Sequence, residues 1–196
     1  MRSVPEEPVG TRARAMAFWR RLMGQPAPRP GVLFAFLDGE ECARQYSSHD
    51  GLHGSRHMAD KLSASGQATQ VLGVIVLDMV GDRDLSITIP DNGSPDLASL
   101  VLASARDEGV RPKFSLLGTA LLDDHDPFVN AHIPAIDIVD FRYGSSPGQN
   151  DYWHTPLDTV DKLSAESLET VGRVTLRTIN GIIGRASRDA QAALHP

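Results

Sequence analysis

Two apolar runs of strand length, Val32–Leu37 and Val71–Val80, each bring acidic residues to the carboxyl end of the run. The first is bounded by Gly31 and by Asp38-Gly39, and it delivers Asp38, Glu40 and Glu41; the second ends in Asp78-Met79-Val80-Gly81. Continuous rather than alternating apolar runs predict strands buried on both faces, and such strands need helices above and below them. The helices are legible between them. Gly51–Leu62 reads as one, and Pro95–Glu108 as another, with Leu97, Leu100, Val101 and Ala105 on one face and a stop at Gly109. Ser164–Arg185 reads as a long closing helix, opened by a serine with Glu166 and Glu169 in its first turns, where carboxylates complement the helix dipole. Shorter strands are expected at Leu85–Ile89, Phe114–Leu117 and Ala135–Phe141. Strands alternating with helices predict an α/β sandwich around a largely parallel sheet.

Upstream, Thr11–Met23 carries a rough helical pattern that Gly24 and the proline-rich stretch to Pro30 terminate. The expected organisation is an irregular and helical segment over residues 1–30, followed by one domain over 31–196. A single cysteine, Cys42, excludes a disulfide scaffold. Val71–Val80 is too short for a membrane-spanning helix. A net charge of -6 with dispersed lysines and arginines excludes the basic stripe that nucleic acid requires. The first residues have no apolar core of a secretory signal, so the chain as written is expected to stay in the cytoplasm.

In open α/β sheets functional groups collect at the carboxyl ends of strands. Here those ends carry Asp38, Glu40, Glu41 and Asp78, a later loop opens with Asp123-Asp124-His125, and Trp153-His154-Thr155 follows the last strand. Carboxylates with a histidine form a zinc-type donor set, and of two neighbouring glutamates one can bind metal while the other moves protons. Adjacent surface acids more often form a solvated turn. Asp78, inside an apolar run, must be paired, coordinated or at a strand end, because burial without a partner costs several kcal/mol. His53 and His57 have the i, i+4 spacing of zinc-binding helices, yet Gly54 occupies the place of that motif's general-base glutamate, which makes the pair a decoy. His49, His132 and His195 are expected at the surface, Tyr46 and Trp153 as core or rim aromatics, and Cys42 as a small buried hydrophobe.

Taken in order, the phrases Leu37-Asp-Gly-Glu-Glu41, Asp50-Gly-Leu-His-Gly-Ser-Arg-His-Met-Ala59, Leu77-Asp-Met-Val-Gly81, Asp123-Asp-His-Asp-Pro-Phe128, Ile133-Pro-Ala-Ile136 and Tyr152-Trp-His-Thr155 resemble the glutaminyl-peptide cyclotransferases and their relatives, the zinc aminopeptidases. The resemblance runs from about Val32 to the C-terminus. It implies a three-layer α/β/α sandwich around a mixed, mostly parallel sheet, with zinc as cofactor and peptide or protein N-termini as substrate. It implies Glu41 and His154 as zinc ligands, Glu40 as general acid/base, and Asp123 in the proton-transfer network. Asp78 assists that network in single-zinc cyclases and ligates a second zinc in two-metal aminopeptidases. Trp153, Tyr46, His125 and Asp137 are expected among the substrate-binding side chains, Asp137 standing where the cyclases carry a pocket histidine. The implied reaction is attack of an N-terminal glutamine's α-amine on its own γ-carboxamide, giving pyroglutamate and ammonia; the alternative is hydrolysis of the first peptide bond.

Relatives of this kind also carry, upstream of the Asp-Gly-Glu-Glu strand, a His-x-Asp strand end and a Gly-Ala-x-Asp segment that supplies a third zinc ligand. Neither occurs in this sequence. Three explanations are open: an N-terminally truncated member, which ranks first and would be exported as many relatives are; a silent relative that only binds peptides; or a site completed by a partner chain.

Overall fold

The computed structural model describes residues 30–47 and 49–192. Met1–Phe36 and Leu37–Pro196 form two compact units. The helix expected over Thr11–Met23 lies outside the described residues.

The second unit is built in the order α1 (His53–Ala64), β1 (Val74–Asp78), β2 (Ile87–Ile89), α2 (Pro95–Asp107), β3 (Phe114–Leu116), α3 (Asp126–Asn130), β4 (Ala135–Val139) and α4 (Ala165–Ala192), with single 3-10 turns between some of them. The strands form one sheet ordered β1-β4-β2-β3. β1 runs parallel to β4, with Val76 opposite Asp137 and Asp78 opposite Val139, and β2 runs parallel to β3. The single antiparallel pairing, β2 with β4, makes the sheet mixed. Side-chain alternation on these strands creates two cores. Ile87, Ile89, Ile136, Ile138 and Phe114 pack with Leu97, Val101 and Ala105 of α2 and with Val171 and Val174 of α4. On the other face Ala135 packs with Ala59 of α1, with Phe128 of α3 and with Ile133. These are the three layers expected. No helix among the described residues is long and apolar enough to cross a membrane.

One expected element is absent. Residues 31–40 adopt no regular secondary structure, and within Val32–Leu37 the side chains of Leu33, Phe34 and Phe36 are exposed rather than buried. An apolar run becomes a strand only where another strand satisfies its N–H and C=O groups, and among the described residues none pairs with it. One unexpected helix is present, α3 (Asp126–Asn130), and elsewhere the differences lie at element ends. The apolar run Val71–Val80 pairs only over Val74–Asp78, and the closing helix continues seven residues beyond Arg185.

Candidate active site

Glu40 and Glu41 owe their placement to the start of α1. That helix leaves backbone N–H groups without intrahelical partners, and the preceding turn supplies them: Leu52 donates to the Glu40 carbonyl at 2.8 Å, His53 to Gly39 at 2.9 Å and Gly54 to Asp38 at 2.8 Å. The approach is close enough to require glycine at position 54, where a Cβ would lie 2.7 Å from the Asp38 nitrogen and 2.8 Å from its carbonyl oxygen. Position 54 is therefore filled for packing, while His53 and His57 lie exposed on α1. The intervening loop is gathered by the Asp50 carboxylate, which accepts N–H bonds from Ala43 (2.7 Å), Arg44 (2.9 Å) and Gln45 (3.2 Å). That loop brings the Tyr46 hydroxyl to 3.0 Å from Glu40 Oε1 and 3.2 Å from Glu41 Oε2.

The opposite wall comes from the segment after β4. His154 Nε2 lies 2.5 Å from Glu41 Oε1. The His154 ring stacks on Trp153 with centroids 3.9 Å apart, and Trp153 meets Phe141 edge-on at 5.4 Å. His154 has φ 59° and Met79, directly after Asp78, has φ 49°. Left-handed backbone costs a side-chain-bearing residue about 1–2 kcal/mol, and two of the four such departures among the described residues fall at Met79 and His154 in the cleft lining.

These parts line one cleft of about 680 Å³ that holds Glu40, Glu41, Tyr46, Asp78, Asp123, Trp153 and His154. Asp78 is the last residue of β1, which places its carboxylate at the strand's mouth. Burial, then the neighbouring Glu41, Asp78 and Asp124 charges, raise the Glu40 carboxyl above its ordinary range, opposed by the Tyr46 hydrogen bond. Burial raises Asp78 as well. Asp123 is pushed up to about 7, first by burial and then by the Asp78 charge. Acids whose affinities for protons are raised in a cleft are suited to proton transfer near neutrality.

Two expected substrate contacts are corrected. Asp137 and His125 are fully buried and lie outside the cleft lining. Strand parity explains the first: Asp137 shares the face of β4 that carries Ala135, beneath α3 and its preceding loop. Its carboxyl is raised well above the ordinary range, chiefly by burial. His125 is held below its ordinary value by burial. Conversely, Leu121, Leu122, Phe141 and Asp158 line the cleft without having been singled out in the sequence. Only Asp158, three residues beyond the Trp-His-Thr phrase, offered a signal.

Among the described residues no group of three or more histidine, cysteine or carboxylate side chains is arranged around a metal position. The donor chemistry nevertheless fits zinc: a carboxylate oxygen and an imidazole nitrogen converge from opposite walls, with further carboxylates beside them.

The family model described as peptidase family M28 matches residues 12–179. The glutaminyl-peptide cyclotransferase of Bos taurus is 27% identical over 172 residues, covering 75% of this chain and 45% of the relative. A glutaminyl cyclase from an Acidobacteriales bacterium superimposes with a TM-score of 0.71 at 37% identity, over 76% of this chain and 52% of its own. A zinc-dependent exopeptidase from Parabacteroides distasonis does so with a TM-score of 0.61 at 26% identity, over 74% of this chain and 52% of its own. The chain thus spans about half the length of the relatives it matches.

Proposed function

The chain belongs to peptidase family M28, and from that premise we propose that it is a zinc-dependent glutaminyl-peptide cyclotransferase-like enzyme, converting N-terminal glutamine of peptides to pyroglutamate with release of ammonia. The observation that carries the reading is the Glu40–Glu41 pair, with Glu41 turned to His154 at 2.5 Å and Glu40 held by Tyr46 at 3.0 Å in the same cleft. Glu41 and His154 would hold zinc, which when bound supplies a Lewis acid for the γ-carboxamide carbonyl. Glu40 accepts a proton from the substrate α-amine as its nitrogen attacks the side-chain carbonyl carbon, and returns that proton to the departing ammonia. Its raised proton affinity suits both halves of that transfer. The Tyr46 hydroxyl fixes the carboxylate it bonds, and Trp153 offers an aromatic wall to the peptide's first residue.

The test is ammonia release from a Gln-initiated peptide by the zinc-supplemented full chain. Glu40→Gln is expected to lower kcat by about 10²–10⁴-fold with zinc binding retained, and a variant as active as the wild type overturns the assignment. A second reading, aminopeptidase activity, is favoured by the place of Asp78, which lines the same cleft as Glu41 and His154 and could serve a second cation. It predicts release of amino acids from N-terminal anilides, lost in Asp78→Ala.

A further inference from the structure

His154 sits in a left-handed backbone conformation on a turn with no regular secondary structure, and something must hold it there. The turns within the segment are local: Thr155 donates its N–H to the Tyr152 carbonyl at 3.1 Å and its hydroxyl to the same oxygen at 2.7 Å, and Asp158 donates its N–H to the Thr155 carbonyl at 3.1 Å. Among the described residues, Tyr143 ties this segment at both ends to the chain leaving β4. The Tyr143 carbonyl accepts the Tyr152 N–H at 3.3 Å, and the Tyr143 hydroxyl donates to Asp158 Oδ1 at 2.6 Å. Tyr143 is itself fixed, 3% exposed, with the Tyr152 ring packed against it edge-on at 5.3 Å and 70° and Lys162 Nζ lying 5.1 Å over the Tyr152 ring.

We propose that the Tyr143–Asp158 hydrogen bond is a latch that positions His154 for the metal, making Tyr143 a positioning residue of the site although it does not line the cleft. The latch spans positions 152 and 158, two residues before His154 and four after it. Beyond Asp158 the chain is next tied down at Asp161 and Lys162, which bond Arg83, so loss of the hydroxyl contact leaves the stretch nearest His154 with one restraint fewer on its left-handed turn. Partners outside the ligand set commonly change metal affinity by 10–100-fold through this kind of orientation. Burial and the Asp158 acceptor both favour the protonated phenol, so Tyr143 is the donor.

The inference rests on the reading of His154 as a zinc ligand, and the experiment separates the two. Zinc dissociation constants of the full chain are measured by chelator competition, well below the melting temperature, alongside Tm of each zinc-free variant. Tyr143→Phe, which keeps the ring and removes only the hydroxyl, is expected to weaken zinc about tenfold. Asp158→Ala is expected to match it, the double variant to be no weaker than either single, and Asp158→Asn, which keeps an oxygen acceptor, to stay within about twofold of wild type. A wild-type chain that binds zinc through His154, as shown by loss in His154→Ala, together with unchanged affinity in Tyr143→Phe, overturns the latch alone. Lower Tm with unchanged zinc affinity also overturns it, because it marks the bond as merely structural. A wild-type chain without zinc affinity overturns the metal reading and the latch with it.

Discussion

Asp137 shows what a single acid costs when it is turned inward. Among the described residues neither carboxylate oxygen has a hydrogen-bond partner in the buried layer under α3, and burial, followed by the Asp123, Asp78, Asp124 and Asp126 charges, favours its protonated form. The folded chain therefore keeps this proton to higher pH than the unfolded chain. The contribution to stability is complete below the ordinary carboxylate value of about 3.9 and is lost as pH rises toward the folded-state value. Asp137→Asn cannot ionise. In thermal melts with chelator present, the melting temperature of the variant should rise relative to that of wild type between pH 4 and pH 8. A difference that does not grow with pH would contradict this account. From sequence, Asp137 was expected to face substrate, because it stands where the cyclases carry a pocket histidine; which face of β4 it took depended on pairing that no local pattern records.

At the scale of elements, the start of α1 sets the acid pair, and the fit tolerates no side chain at position 54. Gly54→Ala forces the Asp38 backbone to move, and is expected to cost about 1–3 kcal/mol and to weaken zinc binding, since Asp38 stands two residues before Glu40. Urea melts and chelator competition would measure both. On the opposite face, Ile138→Ala empties part of the core shared with α2 and α4 and should cost about 2–5 kcal/mol, read as a lower urea midpoint at unchanged m-value. The amphipathic helices α1, α2 and α4 were legible in the sequence because each buries a stripe whose spacing is local. α3 escaped notice, being five residues long and held mainly by its place under the sheet. Val32–Leu37 failed as a strand for the converse reason: its residues have the right character, but a strand exists only with a neighbour to bond. Glu40, Glu41, Asp78, Asp123 and His154, which share the cleft, were legible because strand ends and family-like phrases marked them, whereas Tyr143, which meets Asp158 only in three dimensions across 15 residues, left no such mark.

For the whole molecule, the net charge of -6 is unevenly felt. Glu40, Glu41, Asp78 and Asp123 share one cleft, where neighbouring acidic charges help to raise the proton affinities of Glu40, Asp78 and Asp123, so a cation bound there relieves repulsion across the site. Zinc at 100 times its dissociation constant is expected to stabilise the chain by about 2.7 kcal/mol, a rise of roughly 5–10 °C in Tm that a chelator reverses and His154→Ala largely abolishes. Magnesium, which prefers oxygen ligands and gains little from an imidazole, should raise Tm less. Equal responses to the two ions would speak against a site built on His154. The alternation on β4 has a bearing on assembly of the sheet. β1 and β4 could pair one step out of alignment with little loss of backbone bonding, but every β4 side chain would then change layers. Ile136 and Ile138 would leave their core, and Asp137 would be driven between α2 and α4, among hydrocarbon alone. The alignment is thus held by the layer in which Ile136 and Ile138 are buried, with the acid left on the face that carries Ala135.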